Sequence, residues 1–135
     1  MTTSGPVVRW LYEPDEQPKR KHRWKQNHAG FEQVSGEKVG RCPANLSNEQ
    51  AEALINDQSV PFVNPRAPGP TPDRLYVVHE GVVYRAKPTR AGVSFHAFPE
   101  DPEHLAGLPK RWKAEILALA DRLGCKKGVE DWMSG

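Results

Sequence analysis

Apolar and polar positions alternate most clearly in the second half of the chain. Residues 74–98 hold three runs rich in β-branched and aromatic side chains. The first two runs flank Glu80-Gly81, a two-residue loop typical of a tight hairpin, and the third follows a loop at residues 87–92. The pattern predicts a three-stranded antiparallel meander over residues 74–98.

A helical spacing of apolar residues follows the meander. Residues 109–123 place one apolar stripe on a single helix face, and Gly124 is a favoured residue just past a helix end. The stripe consists of Trp112, Ile116, Leu119, Ala120 and Leu123. A second helix is predicted after Ser47, because Ser47 and Gln50 have the spacing of a capping box. Residues 129–133 are expected to add a last helical turn.

The first half of the chain has weaker patterns. Residues 30–34 and 38–42 are predicted to form a small hairpin. Residues 60–72 contain five prolines, a composition that favours an extended linker or strap over a helix or a central strand. The fold class is therefore α+β, with a small antiparallel sheet packed on a C-terminal helix. We expect one domain at residues 30–135, preceded by a flexible, disordered basic segment at residues 1–29.

The two faces of the predicted meander differ in polarity. Pairing across the Glu80-Gly81 turn places Leu75, Val77 and Tyr84 on one apolar face, which we expect to receive the helix at residues 109–123. The opposite, half-polar face carries Tyr76, Arg85, Lys87, Ser94 and His96, with Tyr76, Arg85 and Ser94 in one row. This face is a binding surface, a face exposed to water, as is common in antiparallel sheets, or a face covered by the N-terminal half of the chain.

Positive charge is concentrated near the N-terminus. The net charge is +2, yet residues 19–25 alone contain five basic side chains, so the rest of the chain is slightly acidic. The segment comprises Lys19, Arg20, Lys21, Arg23 and Lys25, together with Trp24. Such a segment pairs with phosphates and stacks a base, or is simply a solvated arm.

Composition excludes several classes of protein. No run approaches the roughly 20 apolar residues needed to cross a bilayer, and no secretory signal is present, so a cytoplasmic protein without membrane contact is expected.

Cys42 and Cys125 are predicted to be reduced thiols, since two cysteines are too few for a disulfide scaffold. His22, His28 and Cys42 lack the close pairing of zinc ligands, so no metal is expected. The common phosphate-binding and nucleophile motifs are missing, and no cofactor is expected.

One set of side chains has catalytic chemistry. His96 is able to move protons near neutral pH, and Arg85 is able to stabilise an anion. His79 would complete an acid, base and cation set for RNA cleavage, but the predicted register points it to the apolar face. His96 and Arg85 are therefore the catalytic candidates if the protein is a nuclease.

Several short motifs occur in order after the hairpin. They are Phe95-His96-Ala97-Phe98-Pro99, the following helix, Leu123-Gly124-Cys125 and Trp132. From residue 75 to residue 135 this order resembles small uncharacterised bacterial domains that accompany polymorphic-toxin and effector cassettes. The resemblance implies a bacterial source and a role as a toxin domain, immunity protein or accessory factor, and it assigns no catalytic residue.

Three functional hypotheses remain open. The first, and favoured, is a non-enzymatic module that binds a protein or a nucleic acid through the basic segment and the half-polar face. The second is a small metal-independent ribonuclease-like effector that uses His96 and Arg85. The third is an immunity or adaptor protein that binds a partner through an apolar patch around Trp10 and Trp24.

Overall fold

The computed structural model describes residues 10–13, 26–34, 36–63 and 72–134 of the chain. The basic run at residues 19–25 and the part of the proline-rich segment at residues 64–71 lie outside the described residues. The described part has an α+β fold, which confirms the predicted class. It consists of a five-stranded mixed sheet, a separate two-stranded hairpin and four helices.

The described residues form seven strands and four helices. The strands are β1 (Leu11–Tyr12), β2 (Gly30–Val34), β3 (Glu37–Arg41), β4 (Ser59–Phe62), β5 (Arg74–His79), β6 (Val82–Arg90) and β7 (Ser94–Pro99). The helices are α1 (Asn48–Asp57), α2 (Pro102–Ala106), α3 (Lys110–Arg122) and α4 (Lys126–Met133). The five-stranded sheet has the order β1-β7-β6-β5-β4, in which β1 is parallel to β7 and the other neighbours are antiparallel. Strands β2 and β3 form the separate hairpin.

The predicted hairpins and helix start are present. Glu80 and Gly81 both have positive φ, 50° and 79°, as a two-residue turn of the primed type requires. Tyr76 consequently lies opposite Arg85, in the predicted register. At α1, the Ser47 hydroxyl accepts from the Gln50 N–H while the Gln50 side chain accepts from the Ser47 N–H, which completes the capping box.

The register between β6 and β7 differs from the predicted one. Strand β6 continues to Arg90 instead of ending before Lys87, so Arg85 lies opposite Phe98 and Lys87 lies opposite His96. The predicted row of Tyr76, Arg85 and Ser94 is therefore wrong. A bulge between Pro88 and Arg90 allows β6 to continue to Arg90, because a bulge accommodates Pro88, which has no backbone N–H to donate.

Each face of the sheet carries its own hydrophobic core. One core joins the sheet to α1: Tyr12, Cys42, Leu46, Ala51, Leu54, Ile55, Leu75, Val77, Tyr84, Ala86, Phe95 and Ala97. The other joins the sheet to α2, α3 and α4: Val60, Tyr76, Val78, Val83, Leu105, Ile116, Leu119, Ala120 and Val129. Helices thus cover both faces of one central sheet, in a three-layer arrangement.

The helix at residues 109–123 lies on the face opposite to the predicted one. Helix α3 buries Ile116 against the face of Tyr76 and Val78, while α1 covers the face that sequence alternation assigned to α3. Four consecutive residues of β5 are buried, so both faces of this strand are apolar and either is able to accept a helix. The prediction was wrong because it assigned this helix to the more apolar face of the meander, although both faces of β5 are apolar.

Two further strands extend the sheet at its edges. Strand β4 overlaps the start of the segment predicted as a strap, and Pro61 pairs with Leu75 at the edge, where a strand tolerates proline. Strand β1 lies within the segment predicted as flexible, and the Leu11 N–H donates to the Val93 carbonyl at 3.0 Å. Tyr12 of β1 is 8% exposed, so burial of its ring anchors this strand on the sheet.

Both cysteines are free thiols. Cys42 belongs to the core on the α1 face, whereas Cys125 packs against the core on the opposite face. No helix in the described ranges is both long enough and apolar enough to span a membrane.

Candidate functional site

A cleft opens where the sheet extends beyond its helical cover. The β2–β3 hairpin forms one wall, strands β6 and β7 form the floor, and the segment that leads into α2 forms the other wall. The volume is about 390 Å³, within the range of small-ligand sites. Its charged, imidazole and aromatic lining residues are Lys38, Arg85, Lys87, His96, Glu100, Asp101, His104, Phe31 and Phe98.

The hairpin wall is held close to the floor by a glycine. A Cβ on Gly40 would lie 2.8 Å from the Pro99 carbonyl oxygen, so only glycine permits this approach of β3 to β7. Phe31 of β2 stacks on Trp132 of α4 with ring centroids 5.8 Å apart. The Lys38 ammonium lies 4.5 Å from the centroid of the same Phe31 ring. These contacts fix the width of the cleft.

Asp101 fixes the start of α2 at the edge of the cleft. Its Oδ1 accepts from the Glu103 N–H at 2.9 Å, and its Oδ2 lies 3.1 Å from the Lys38 ammonium. The hydrogen bond from Glu103, followed by the contact with Lys38, lowers the pKa of Asp101 below its usual value. The carboxylate therefore caps the helix and ties the hairpin wall to it.

Glu100 is a buried carboxylate at the inner end of the cleft. Its side chain is 1% exposed, and Oε1 accepts from the Asp101 N–H at 2.9 Å and lies 3.2 Å from His104 Nδ1. The Trp132 Nε1–H donates to the Glu100 carbonyl oxygen at 3.1 Å. Arg85 Nη1 lies 3.6 Å from Oε2, which supplies charge compensation without a hydrogen bond.

Two buried polar atoms at this position lack a hydrogen-bond partner among the described residues. They are Oε2 of Glu100 and Nε of Arg85. An unsatisfied buried polar group costs about 1–3 kcal/mol, and such groups in native proteins call for a specific explanation. The pair is thus a polar, incompletely satisfied contact at the wall of the cleft.

The floor brings cationic and imidazole groups together. Arg85 is 24% exposed, and Lys87, two residues further along β6, is exposed opposite His96. His96 Nδ1 lies 2.8 Å from the Thr89 hydroxyl oxygen, which itself donates to the Glu13 carbonyl at 2.6 Å. Each cleft carboxylate already has a cation, whereas Lys87 has no ion-pair partner among the described residues. Lys87 therefore supplies the uncompensated positive charge of the cleft.

The structure brings together only part of the predicted site. Arg85, Lys87 and His96 line the cleft, as the half-polar face suggests. Tyr76 does not line it, because its side chain is 1% exposed and packs in the core under α3, where burial raises the pKa of its phenol. Ser94 is also fully buried, and its hydroxyl accepts from the Arg90 N–H at 3.2 Å.

Other predicted residues lie away from the cleft or outside the described chain. His79 pairs with Val82 at the end of β5 and lies 3.8 Å from the Glu80 carboxylate. Trp10, proposed as part of an apolar patch, is half-buried and packs edge-on against Phe95 at 5.2 Å. The predicted binding residues of the basic run (Lys19, Arg20, Lys21, Arg23, Trp24 and Lys25) lie outside the described residues.

Four polar residues of the cleft were missing from the predicted site. Lys38 lies on the hairpin, and Glu100, Asp101 and His104 lie at or near α2. A signal for the last three was present, because aspartate directly before proline is a favoured helix start. A helix that begins after Asp101 places Glu100 and His104 one turn apart, on the same side.

No group of three or more His, Cys, Asp or Glu side chains in the described part of the chain is arranged to hold a metal ion. Comparison with protein-family models, with curated proteins and with solved structures finds no match to this chain.

Proposed function

We propose that this chain is a macromolecule-binding module and that its cleft binds single-stranded nucleic acid. One observation carries the proposal: cationic side chains from the hairpin and from β6 converge on a single cleft that also contains aromatic rings. A nucleic-acid strand offers both partners at once, because it alternates anionic phosphates with flat bases.

The phosphate contact is assigned to Lys87 and Arg85. Lys87 is exposed and lies next to His96 on the cleft floor, and Arg85 lies deeper, 24% exposed, beside Glu100. A phosphate that meets Lys87 releases a counterion, so its affinity depends on salt. Arg85 Nη1 lies 3.6 Å from the carboxylate, too far for a hydrogen bond, so the guanidinium still has N–H groups to donate to a phosphate.

The base contact is assigned to Phe98. This ring lines the cleft, is half-buried, and lies 6.4 Å from the His96 ring at an angle of 34°. Stacking of a base on an aromatic side chain contributes about 1–3 kcal/mol and depends little on base identity. Phe31 is less suited to this role, because its ring already contacts Trp132 and Lys38.

The basic run at residues 19–25 supports nucleic acid rather than protein as the ligand. Five positive charges and Trp24 in one short segment provide phosphate pairing and stacking of the same kind as the cleft. In this proposal the run increases affinity without sequence preference, and the cleft sets the register of the strand. A cytoplasmic location is part of the same proposal.

The test measures binding of a fluorescently labelled ten-nucleotide RNA by anisotropy, at low and moderate salt. EDTA and an RNA with 2′-O-methyl groups keep the ligand intact during the titration. Lys87→Glu is expected to weaken binding at least about tenfold, because it removes a cation and places an anion beside the phosphate. Lys110→Glu is the matched control, with the same change of charge at the exposed start of α3.

Amide NMR shifts locate the binding. Salt-sensitive shifts that include Arg85, Lys87 and His96 support the proposal. Equal affinities of Lys87→Glu and Lys110→Glu, or shifts confined to residues 19–25, would contradict a cleft site. An absence of binding at low salt would refute nucleic acid as the ligand and redirect the search to a protein partner.

A further inference from the structure

His104 is oriented by a buried carboxylate. Its Nδ1 lies 3.2 Å from Oε1 of Glu100, and that carboxylate is 1% exposed while the imidazole is 65% exposed. An ionised carboxylate only accepts hydrogen bonds, so Nδ1 carries the proton and the lone pair of the neutral ring is on Nε2. A histidine oriented in this way by an acidic group is the usual arrangement of a general base.

His96, at the other end of the cleft floor, is oriented by a hydroxyl group instead of a carboxylate. The Thr89 hydroxyl has one proton, which it donates to the Glu13 carbonyl at 2.6 Å. The same oxygen must therefore accept from His96 Nδ1, 2.8 Å away. Nδ1 of each of these two histidines therefore donates a hydrogen bond, so both neutral rings are the Nδ1–H tautomer.

The two cations of the floor lie between these histidines. In the strand register His96 lies opposite Lys87, and Arg85 lies two residues before Lys87 on the same face of the sheet. Arg85 lies beside Glu100, and Glu100 in turn contacts His104. A phosphodiester held by Arg85 and Lys87 therefore has one imidazole on each side. Positive charge at that position stabilises the additional negative charge that develops on phosphorus-bound oxygens during phosphoryl transfer.

We infer that the cleft cleaves single-stranded RNA by transesterification, with His104 as general base and His96 as general acid. This inference rests on the proposed function, since it requires the same strand in the same cleft. His104 Nε2 takes the proton of a ribose 2′-hydroxyl, and the 2′-oxygen attacks the adjacent phosphorus. The bond from phosphorus to the 5′-oxygen breaks, and protonated His96 gives that oxygen its proton.

The products are a 2′,3′-cyclic phosphate on one fragment and a 5′-hydroxyl on the other. One proton is taken up and one is released, and no water, metal or other reactant enters this step. The 2′-hydroxyl is itself the nucleophile, so RNA is a substrate and DNA is not. Glu100 touches no reacting atom and is a positioning residue for His104.

The experiment uses the full chain and a fluorescently labelled DNA oligonucleotide that contains a single ribonucleotide, incubated with EDTA. Cleavage at the ribonucleotide, none of the all-DNA oligonucleotide, and a cyclic phosphate end by mass spectrometry are the expected results. His104→Ala and His96→Ala are each expected to lower the rate at least about 100-fold. His28→Ala is the matched control, since His28 is exposed and does not line the cleft.

A split between kcat and KM tests the role of Glu100. Around His104 the charged groups are Glu100, Asp101, Lys38 and Arg85. Glu100→Gln removes the carboxylate that accepts from His104 Nδ1, so kcat is expected to fall while KM for the RNA stays nearly unchanged, because the ring loses its orientation and the phosphate contacts remain. An unchanged kcat, or a loss confined to KM, would contradict the positioning role. If Glu100→Gln does not fold, nitrogen NMR of the His104 ring in the parent protein gives a second test, in which a proton on Nε2 instead of Nδ1 would contradict the role.

The experimental outcomes distinguish a failure of this inference from a failure of the proposed function. Binding of the 2′-O-methyl RNA without cleavage of the ribonucleotide substrate would overturn this inference and leave the binding function standing. Cleavage that persists unchanged in both histidine variants would overturn the assignment of His104 and His96. Neither binding nor cleavage would overturn both proposals.

Discussion

One face of the sheet has two regions with opposite properties. The covered region, made of Tyr76, Val78 and Val83, lies under α3 and is at most 1% exposed. The open region, made of Arg85, Lys87, His96 and Phe98, lies further along the same face and forms the floor of the cleft. The same strand, β6, contributes to both regions, so the difference comes from where the helices end.

Strand alternation assigns a side chain to one face of the sheet but does not say whether that part of the face is buried. Alternation places Tyr76 and Arg85 in one row, and they do lie opposite each other. Yet Tyr76 packs in the core, whereas Arg85 reaches the cleft. Apolar contacts carry the stability of the covered region, whereas the charged side chains at the more exposed open region contribute little to stability.

The largest expected effect is a loss of stability in the covered region. Ile116→Ala removes a fully buried side chain of α3 and leaves a cavity against the sheet, so the free energy of unfolding is expected to fall by about 2–5 kcal/mol. Phe98→Ala in the open region removes a half-buried ring and is expected to cost about 1 kcal/mol. Urea unfolding followed by tryptophan fluorescence measures both, and similar losses would remove the distinction between the regions.

The next effect tests how the hairpin closes the open region. Gly40→Ala places a Cβ 2.8 Å from the Pro99 carbonyl oxygen, and a backbone atom has no rotamer through which to move away. The hairpin is expected to shift from β7, with a loss of about 1–3 kcal/mol in stability and weaker RNA binding. Urea unfolding and anisotropy measure the two effects.

A matched glycine provides the control. At Gly107 a Cβ would meet its nearest neighbour at 3.6 Å, an ordinary contact, and the backbone there is right-handed helical. Gly107→Ala is therefore expected to leave both stability and binding nearly unchanged. A Gly40→Ala protein that behaves like Gly107→Ala would show that the approach of β3 to β7 does not fix the cleft.

Local signals predicted most elements of the fold. The Glu80-Gly81 turn, the capping box at Ser47 and the apolar stripe of α3 each depend on neighbours in sequence, and each is present. The register of β6 with β7 depends on where a long strand ends. Strand β6 continues through a bulge between Pro88 and Arg90, and no local pattern announces a bulge of this kind.

The site was harder to predict because it combines distant segments. Arg85, Lys87 and His96 were recognised from strand alternation, since they lie on neighbouring strands. Lys38 reaches the cleft only because the hairpin folds over β7, a contact between residues far apart in sequence. The Glu100 and His104 pair was within reach of the sequence, because Asp101-Pro102 marks the helix that brings them together.

A smaller effect is expected at the wall formed by α2. Asp101→Ala removes the cap of α2 and the contact with Lys38, which is expected to cost about 1 kcal/mol. The pKa of Asp101 is lowered in the folded protein, so its stabilising effect is present above its unfolded value near 3.8 and is lost as the pH falls through the lower folded value.

Thermal unfolding from pH 3 to pH 7 separates this contribution from others. Asp101→Ala and the parent protein are expected to differ at pH 7 and to converge towards pH 3. Asp101→Asn is the informative companion, because an amide still caps the helix but does not titrate. A constant difference between Asp101→Ala and the parent over the whole range would show that the carboxylate charge contributes nothing.

The smallest effect on stability, and the sharpest test of the comparison, is at Lys87. Lys87 is exposed and lacks an ion-pair partner among the described residues, so Lys87→Ala is expected to change the free energy of unfolding by less than about 0.5 kcal/mol.

If Lys87 neutralises one phosphate, the slope of log affinity against log salt falls by about 0.7 for a single strand. Lys126→Ala, an exposed lysine of α4 outside the cleft, should leave that slope unchanged. Equal slopes for all three proteins would mean that Lys87 does not neutralise a phosphate. A large loss of stability in Lys87→Ala would mean that the open region also supports the fold.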